Sequence, residues 1–320
     1  MATRIKFNKP PLSRDGLLKL MAGRNLSVTT KEEQSKARKA LQKVGYYRLS
    51  GYMPVFQVGG DGADKHDFLP GTTLTKILDL YKFDTDLRGH LSSALERIEV
   101  AFRTSVCDHM CRATGDSHWL LNPANFRGAS HAQHLEKFKS AVYDQSQNSE
   151  FVKSYFDKYD DPFLPPAWMM RECASFGAWS KLFSDLATSE QKSISDEWTY
   201  PAEPGKTAER IDHMMLEKWM HSMVLLRNRC AHHGRIINRI FSFLPPDPSN
   251  HPSVKHLFLS CNTDLRTLIV IISIFLKNVD PRNIWLRQLY LLLDTYDDRV
   301  DIAKATGFSN AWQTDALWNF

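Results

Sequence analysis

The stretch IDHMMLEKWMHSMVLLRNRCAHHGRIINR, Ile211 to Arg239, decides how this chain is read. In its first half Ile211, Met215, Trp219, Met223 and Leu226 recur at steps of three and four, which predicts one apolar stripe on an amphipathic helix. The stripe then gives way to Arg227, Asn228, Arg229, His232, His233 and Arg235. Such a polar block cannot be buried unpaired at the end of a core helix. Gly234 is expected to close the helix in left-handed geometry. Asn228 and His232 are four residues apart, as are Arg229 and His233, so each pair shares a helix face. A guanidinium brings a permanent cation with a forked donor array. An imidazole exchanges a proton near neutrality. Arg227, Asn228 and His232 together, with no carboxylate beside them in sequence, suit an anionic substrate and metal-free phosphodiester cleavage.

Working outward, Thr73 to Arg112 is helical in pattern, with Leu87, Leu91, Leu95, Ile98 and Phe102 as its apolar stripe. Gly89 and Asp84-Thr85-Asp86 predict a break or kink. A second, polar stripe runs through Arg88, Ser92, Glu96, Glu99 and Arg103. It is either a solvated face carrying the Glu99–Arg103 pair or a face turned to the Arg227–His232 block, which Glu99 and Arg103 would then orient. Trp168 to Leu186 reads as two buried helical segments, and Glu172 inside it needs a partner: an arginine of the block or a backbone donor. Leu268 to Leu276 reads as a buried helix, well short of the ~20 residues that span a bilayer.

Nearer the start, Ser13 caps a short helix and Thr30 to Glu33 forms a capping box for one that Gly45 ends. Tyr46 to Tyr52 gathers tyrosines around Arg48. Tyr47 and Arg48 are candidates for stacking on RNA bases, against a half-buried aromatic turn. Gln57 to Gly71, rich in glycine and charge, sets a soft boundary between residues 1–70, a smaller and mainly helical region, and 71–320. Only Tyr52 to Val58 hints at strand alternation. His131 and His134 are expected on a solvated helix face, 243–252 as a loop, and Trp312 and Trp318 as pins for the C-terminal tail. Cys107, His109 and Cys111 lack the second ligand pair of a zinc site, so no metal or other cofactor is expected.

Composition sets wide limits. With 320 residues and 42% hydrophobic side chains, a large core is within reach. The formal charge of +5 permits nucleic-acid binding without demanding it. Five cysteines, an odd number, with no apolar leader segment in MATRIKFNKPPLS, predict a reduced, cytoplasmic protein with no membrane segment. No glycine-rich phosphate loop, nucleophile elbow or HExxH motif occurs.

Several strings in order resemble the Abi family of abortive-infection proteins, the group that includes AbiD and AbiF. They are KPPLS, GYYRLSGY from Gly45, YKFDTDLR from Tyr81, ERIEVAFR from Glu96, PPAWMMRECASFGAWSKL from Pro165, LRNRCAHHGRIINR from Leu226 and GFSNAW from Gly307. That family in turn resembles the HEPN superfamily of helical bundles, many of them metal-independent endoribonucleases. The resemblance implies an all-α, HEPN-like bundle over 71–320, with Arg227, Asn228 and His232 as an RNxxxH motif and His233 also within its spacing range. It further implies a homodimer with both motifs meeting, phage defence by growth arrest, and control by a small RNA or an antitoxin partner.

Three readings of the block follow. In the first, Arg227 and His232 cut RNA through the ribose 2′-hydroxyl. In the second, the chain is a catalytically silent RNA-binding or protein-docking module, with Arg229 and Arg235 among its phosphate contacts. In the third, the block only caps the helix and pairs with Glu96, Glu99 or Glu172.

Overall fold

The first helices start where their caps dictate. In this computed structural model, which describes the chain except residues 1–5, 7, 9, 29, 203–204, 243–244, 246–247, 249–250 and 259–262, α1 (Arg14–Ala22) opens on Ser13, whose Oγ accepts the Gly16 N–H at 3.1 Å. At α2 (Lys31–Lys43) the Thr30 hydroxyl accepts the Glu33 N–H at 3.1 Å and the Glu33 carboxylate accepts the Thr30 N–H at 2.9 Å. Each bond satisfies an N–H that the helix leaves orphaned. Gly45, at φ 86°, turns the chain into α3 (Tyr46–Ser50). The strand hinted at over Tyr52 to Val58 is not formed: Met53–Phe56 is a turn of 3-10 helix. Pro54 explains this, because it has no N–H for a ladder and its fixed φ suits a helical turn.

By their internal contacts the residues fall into two compact units, 1–87 with 294–302, and 88–293 with 303–320. The glycine-rich stretch at 57–71 is made of turns within the first unit, apart from an isolated bridge between Gln57 and Phe68. α4 (Leu74–Thr114) is continuous for 41 residues, so the break expected near Asp84 to Gly89 does not occur. The polar side chains that would disturb it are engaged. The Tyr52 hydroxyl donates to Asp84 at 2.7 Å, that of Tyr296 to Asp86 at 2.5 Å, and Thr85 donates to the Tyr81 carbonyl at 3.0 Å.

In the second unit follow α5 (His131–Gln145), α6 (Glu150–Lys158), α7 (Ala167–Cys173), α8 (Phe176–Asp185), α9 (Thr188–Ser195), α10 (His213–Ala231), α11 (Leu265–Val279), α12 (Trp285–Tyr296) and α13 (Ile302–Thr306), the last two continuing into 294–302 of the first. Among the described residues there is no strand, and the fold is all-α. α10 is its centre, packed on α8, α9 and α11. Ile211, Trp219, Met223 and Leu226 of the predicted stripe are fully buried, and Met215 is half-buried. Trp219 meets Phe275 of α11 edge to face, centroids 5.7 Å apart. α11 is buried almost all round, with the Ser273 hydroxyl satisfied by the Ile269 carbonyl at 2.9 Å. Trp312 is buried, and Trp318 stacks on Phe308 and donates to the Trp312 carbonyl at 2.5 Å.

Three expectations need correction here. His134 is buried, not solvated: its ring nitrogen meets the Asp185 carboxylate at 2.8 Å, while His131 is half-buried against the Leu120 carbonyl, also at 2.8 Å. Burial pushes the Asp185 carboxyl up, but bonds from His134, Ser130 and Lys181 more than offset it, leaving it below the usual carboxylate range. Glu172 is exposed and pairs with Arg171 at 3.0 Å, not with the polar block. Trp168, expected in the core, is 48% exposed. The loop expected at 243–252 lies partly, and Cys261 wholly, outside the described residues.

Candidate functional site

Where α4 and α10 meet, they run in opposite directions. Cys230 faces Arg88 and Ser92, and one turn earlier Arg227 faces Glu99. Burial pushes the Cys230 thiol up to about 11. Arg227 donates from Nε to Glu99 Oε2 and from Nη2 to Oε1, both at 2.8 Å, a bidentate fork. Its Nη1 donates to Asn228 Oδ1 at 3.1 Å. A guanidinium has five N–H donors, so two remain on Arg227 once these three are counted. The same Glu99 carboxylate also accepts from Arg103 Nη2. One carboxylate therefore serves two guanidiniums, and the cluster carries a surplus positive charge.

That surplus has consequences. Arg103 is pushed down to about 10, first by burial and then by the neighbouring cations of Arg227 and Arg171, with Glu172 acting the other way. Its Nε is buried with no hydrogen-bond partner among the described residues. Burial also lowers Arg227, which keeps 28% of its side chain exposed while Glu99 keeps 11%. Of the polar stripe on α4, Glu99 thus meets the block directly and Arg103 meets it through Glu99, whereas Glu96 points to solvent.

The end of α10 is a tight corner. The Gly234 N–H bonds to the Arg229 carbonyl at 2.8 Å and the His233 N–H to the Cys230 carbonyl at 3.0 Å, the paired bonds of a Schellman turn. The left-handed residue is His233, at φ 55°, and not Gly234 as expected. Histidine tolerates that region better than most side chains. Gly234 serves a different need: a Cβ there would come within 3.0 Å of Arg229 Cγ. The missing side chain is the room that Arg229 occupies.

Beyond the corner, Ile236 and Ile237 are fully buried, and the Asn238 N–H bonds to the Ala305 carbonyl at 2.8 Å. The chain around the histidines is thus held on both sides. His232 caps the helix, is exposed, and lines an open pocket of about 460 Å³ with Asn228, Arg229, Gly234, Arg239 and Phe241. Arg227 lies on the Glu99 side of α10, so Asn228 is the residue that touches both Arg227 and the pocket. Arg235 is half-buried next to Arg229 and adds to its positive surroundings. Tyr47, 93% exposed, and Arg48, also exposed, belong to the other unit.

Arg239 also lines this pocket, and no sequence motif marks it. The signal available was negative: Arg227 to Ser242 holds four arginines and two histidines without one aspartate or glutamate. Among the described residues no cluster of histidine, cysteine and carboxylate side chains could hold a metal ion, and His109 is engaged with Glu190 at 2.8 Å. No helix is long and apolar enough among them to cross a membrane.

The chain has a counterpart among known families. The model of the family described as Abi-like protein matches residues 39–238, and the chain belongs to that family. The matched span contains Glu99, Arg103 and the whole of α10 with its corner. No curated protein and no solved structure matches the chain.

Proposed function

We propose that the chain is a metal-independent endoribonuclease of the HEPN type, acting in abortive-infection defence against phage. The observation that supports this most is the state of Arg227. Glu99 fixes its guanidinium through two donors and Asn228 takes a third, yet two donors remain and more than a quarter of the side chain is open. An arginine oriented but not exhausted is suited to receive a phosphate.

In the proposed reaction the ribose 2′-oxygen bonds to phosphorus as the bond to the 5′-oxygen breaks. The proton leaving the 2′-hydroxyl is balanced by one gained at the 5′-oxygen, and His232 serves one of these transfers. Arg227 stabilises the charge gathering on the non-bridging oxygens. Asn228 orients Arg227, Glu99 and Arg103 position it, and His233 is the alternative imidazole. Products are a 2′,3′-cyclic phosphate and a 5′-hydroxyl. Arg229 and Arg235, with Tyr47 and Arg48, contact the RNA elsewhere. The working form is a homodimer in which two copies of the motif meet, held inactive by a small RNA or an antitoxin partner until infection.

The test is cleavage of total RNA by wild type, Arg227→Ala and His232→Ala, with and without EDTA, and with the RNA ends sequenced. Wild type should cut in the presence of EDTA and leave cyclic phosphate ends, and both variants should not. Equal cleavage by all three removes the proposal. Binding of RNA without cleavage by wild type would move the chain to the silent RNA-binding reading.

A further inference from the structure

The pocket under His232 is distinct from the Arg227–Glu99 pair, which does not line it, and adjoins that pair through Asn228. Among the described residues neither Arg229 nor Arg239 has an ion-pair partner, although Arg227, Arg103, Arg171 and Arg266 each meet a carboxylate. The fold nevertheless holds them together. Arg229 is half-buried, lowered first by that burial and then by the cations of Arg239 and Arg235. The space beside Gly234 is kept free for its side chain. Arg239 follows Asn238, which the Ala305 carbonyl and the Lys304 carbonyl anchor at 2.8 and 3.3 Å. Asn228 lines the same pocket, and its Oδ1 is taken by Arg227, so that its amide hydrogens are the part left to a ligand. Like charges gathered at an open cavity without a counter-charge repel one another and are relieved by an anion.

We infer that this pocket is a second phosphate subsite, in which Arg229 and Arg239 hold the phosphodiester adjacent to the one at Arg227 and His232. The ligand is single-stranded RNA read through its backbone, and its smallest well-bound form has two consecutive phosphates. The inference rests on the nuclease reading for the nature of the ligand. A single strand is required because in-line attack by a 2′-oxygen needs a backbone free to leave the A-form, and RNA-reading proteins favour such segments.

The experiment is a fluorescence-anisotropy titration of a labelled single-stranded RNA decamer at several salt concentrations, with wild type, Arg239→Ala and Gly234→Ala. Cleavage is assayed on the same preparations and folding is checked by thermal midpoint. Arg239 is exposed, so Arg239→Ala should melt with wild type. Its affinity should fall, and its slope of log affinity against log salt should flatten by about 0.7, the share of one phosphate contact on a single strand. Gly234→Ala, which crowds Arg229, should weaken binding in the same direction. In wild type a diribonucleotide should gain affinity when a second phosphate is added to its end. Unchanged slope and affinity in Arg239→Ala, with wild-type cleavage intact, would overturn the subsite and leave the nuclease standing. A flattened slope in a chain that cuts no RNA would keep the subsite and remove the nuclease.

Discussion

Two arginines in the same unit make nearly the same bonds and do different things. Arg266 of α11 donates from Nε and Nη2 to the two oxygens of Asp315 and from Nη1 to the Leu257 carbonyl, all at 2.7 Å. Arg227 of α10 donates from the same three nitrogens to Glu99, twice, and to Asn228. The difference is in stoichiometry and access. Arg266 and Asp315 are 2% and 6% exposed, one charge against one, with Phe308 over the guanidinium at 5.5 Å. Arg227 is 28% exposed and shares its carboxylate with Arg103. A closed, balanced pair ties the tail to the core. An open, unbalanced one leaves positive charge that something else must meet.

The contrast breaks most readily at Arg266. Arg266→Ala strands the Asp315 carboxylate in the interior, and should cost about 3–5 kcal/mol, the range for a buried pair that loses one partner. That is a thermal midpoint lower by roughly 10 °C, with cleavage at lower temperature unaffected. A loss under about 1 kcal/mol in a denaturant titration would mean that the pair is not structural. Glu99→Gln is expected next, at about 2–3 kcal/mol, because two half-buried guanidiniums are left facing each other. If it proves milder than Arg227→Ala, the picture of one carboxylate serving two cations is wrong.

Arg227→Ala should be gentler still on stability, about 1–2 kcal/mol, since Glu99 keeps Arg103 as a partner. Its cost should appear in cleavage, as a fall of about 100-fold or more. A melting loss as large as that of Arg266→Ala, with cleavage unchanged, would make Arg227 a structural residue. The smallest effect belongs to Arg103→Met. Among the described residues the buried Nε of Arg103 has no partner, and a cation lies beside it, so its removal should change stability by less than about 1 kcal/mol, and in either direction. A loss beyond 2 kcal/mol would show that the surplus cation supports the fold after all.

How far the sequence disclosed this arrangement depends on the range of the interactions. The stripe of α10 was legible because burial on one face leaves a local period. So were the caps at Ser13 and Thr30, which involve residues three apart. Glu99 was legible only as half of an alternative: helix phase says which residues share a face, not what the face meets. Residues far along the chain supplied what was missed. His134 is buried because Asp185, 51 residues on, receives it. α4 continues past Asp84 and Asp86 because Tyr52 and Tyr296 bond to them. The left-handed position of the corner falls on His233, one residue before the glycine, for a subtler reason. Glycine is the usual occupant of the left-handed position, but here its lack of a side chain is spent on Arg229, and a histidine makes the turn.

The extent of the family match bears on how the protein can be handled. The shared span runs from 39 to 238, yet it begins inside α2 and stops before α11. Cutting there would strip Trp198 and Trp219 of Phe275, which both meet edge to face at 5.4 and 5.7 Å. A wide apolar surface would be laid bare on the central helix, the kind that drives aggregation. What is inherited together is therefore narrower than what coheres, and a fragment trimmed to the first would precipitate.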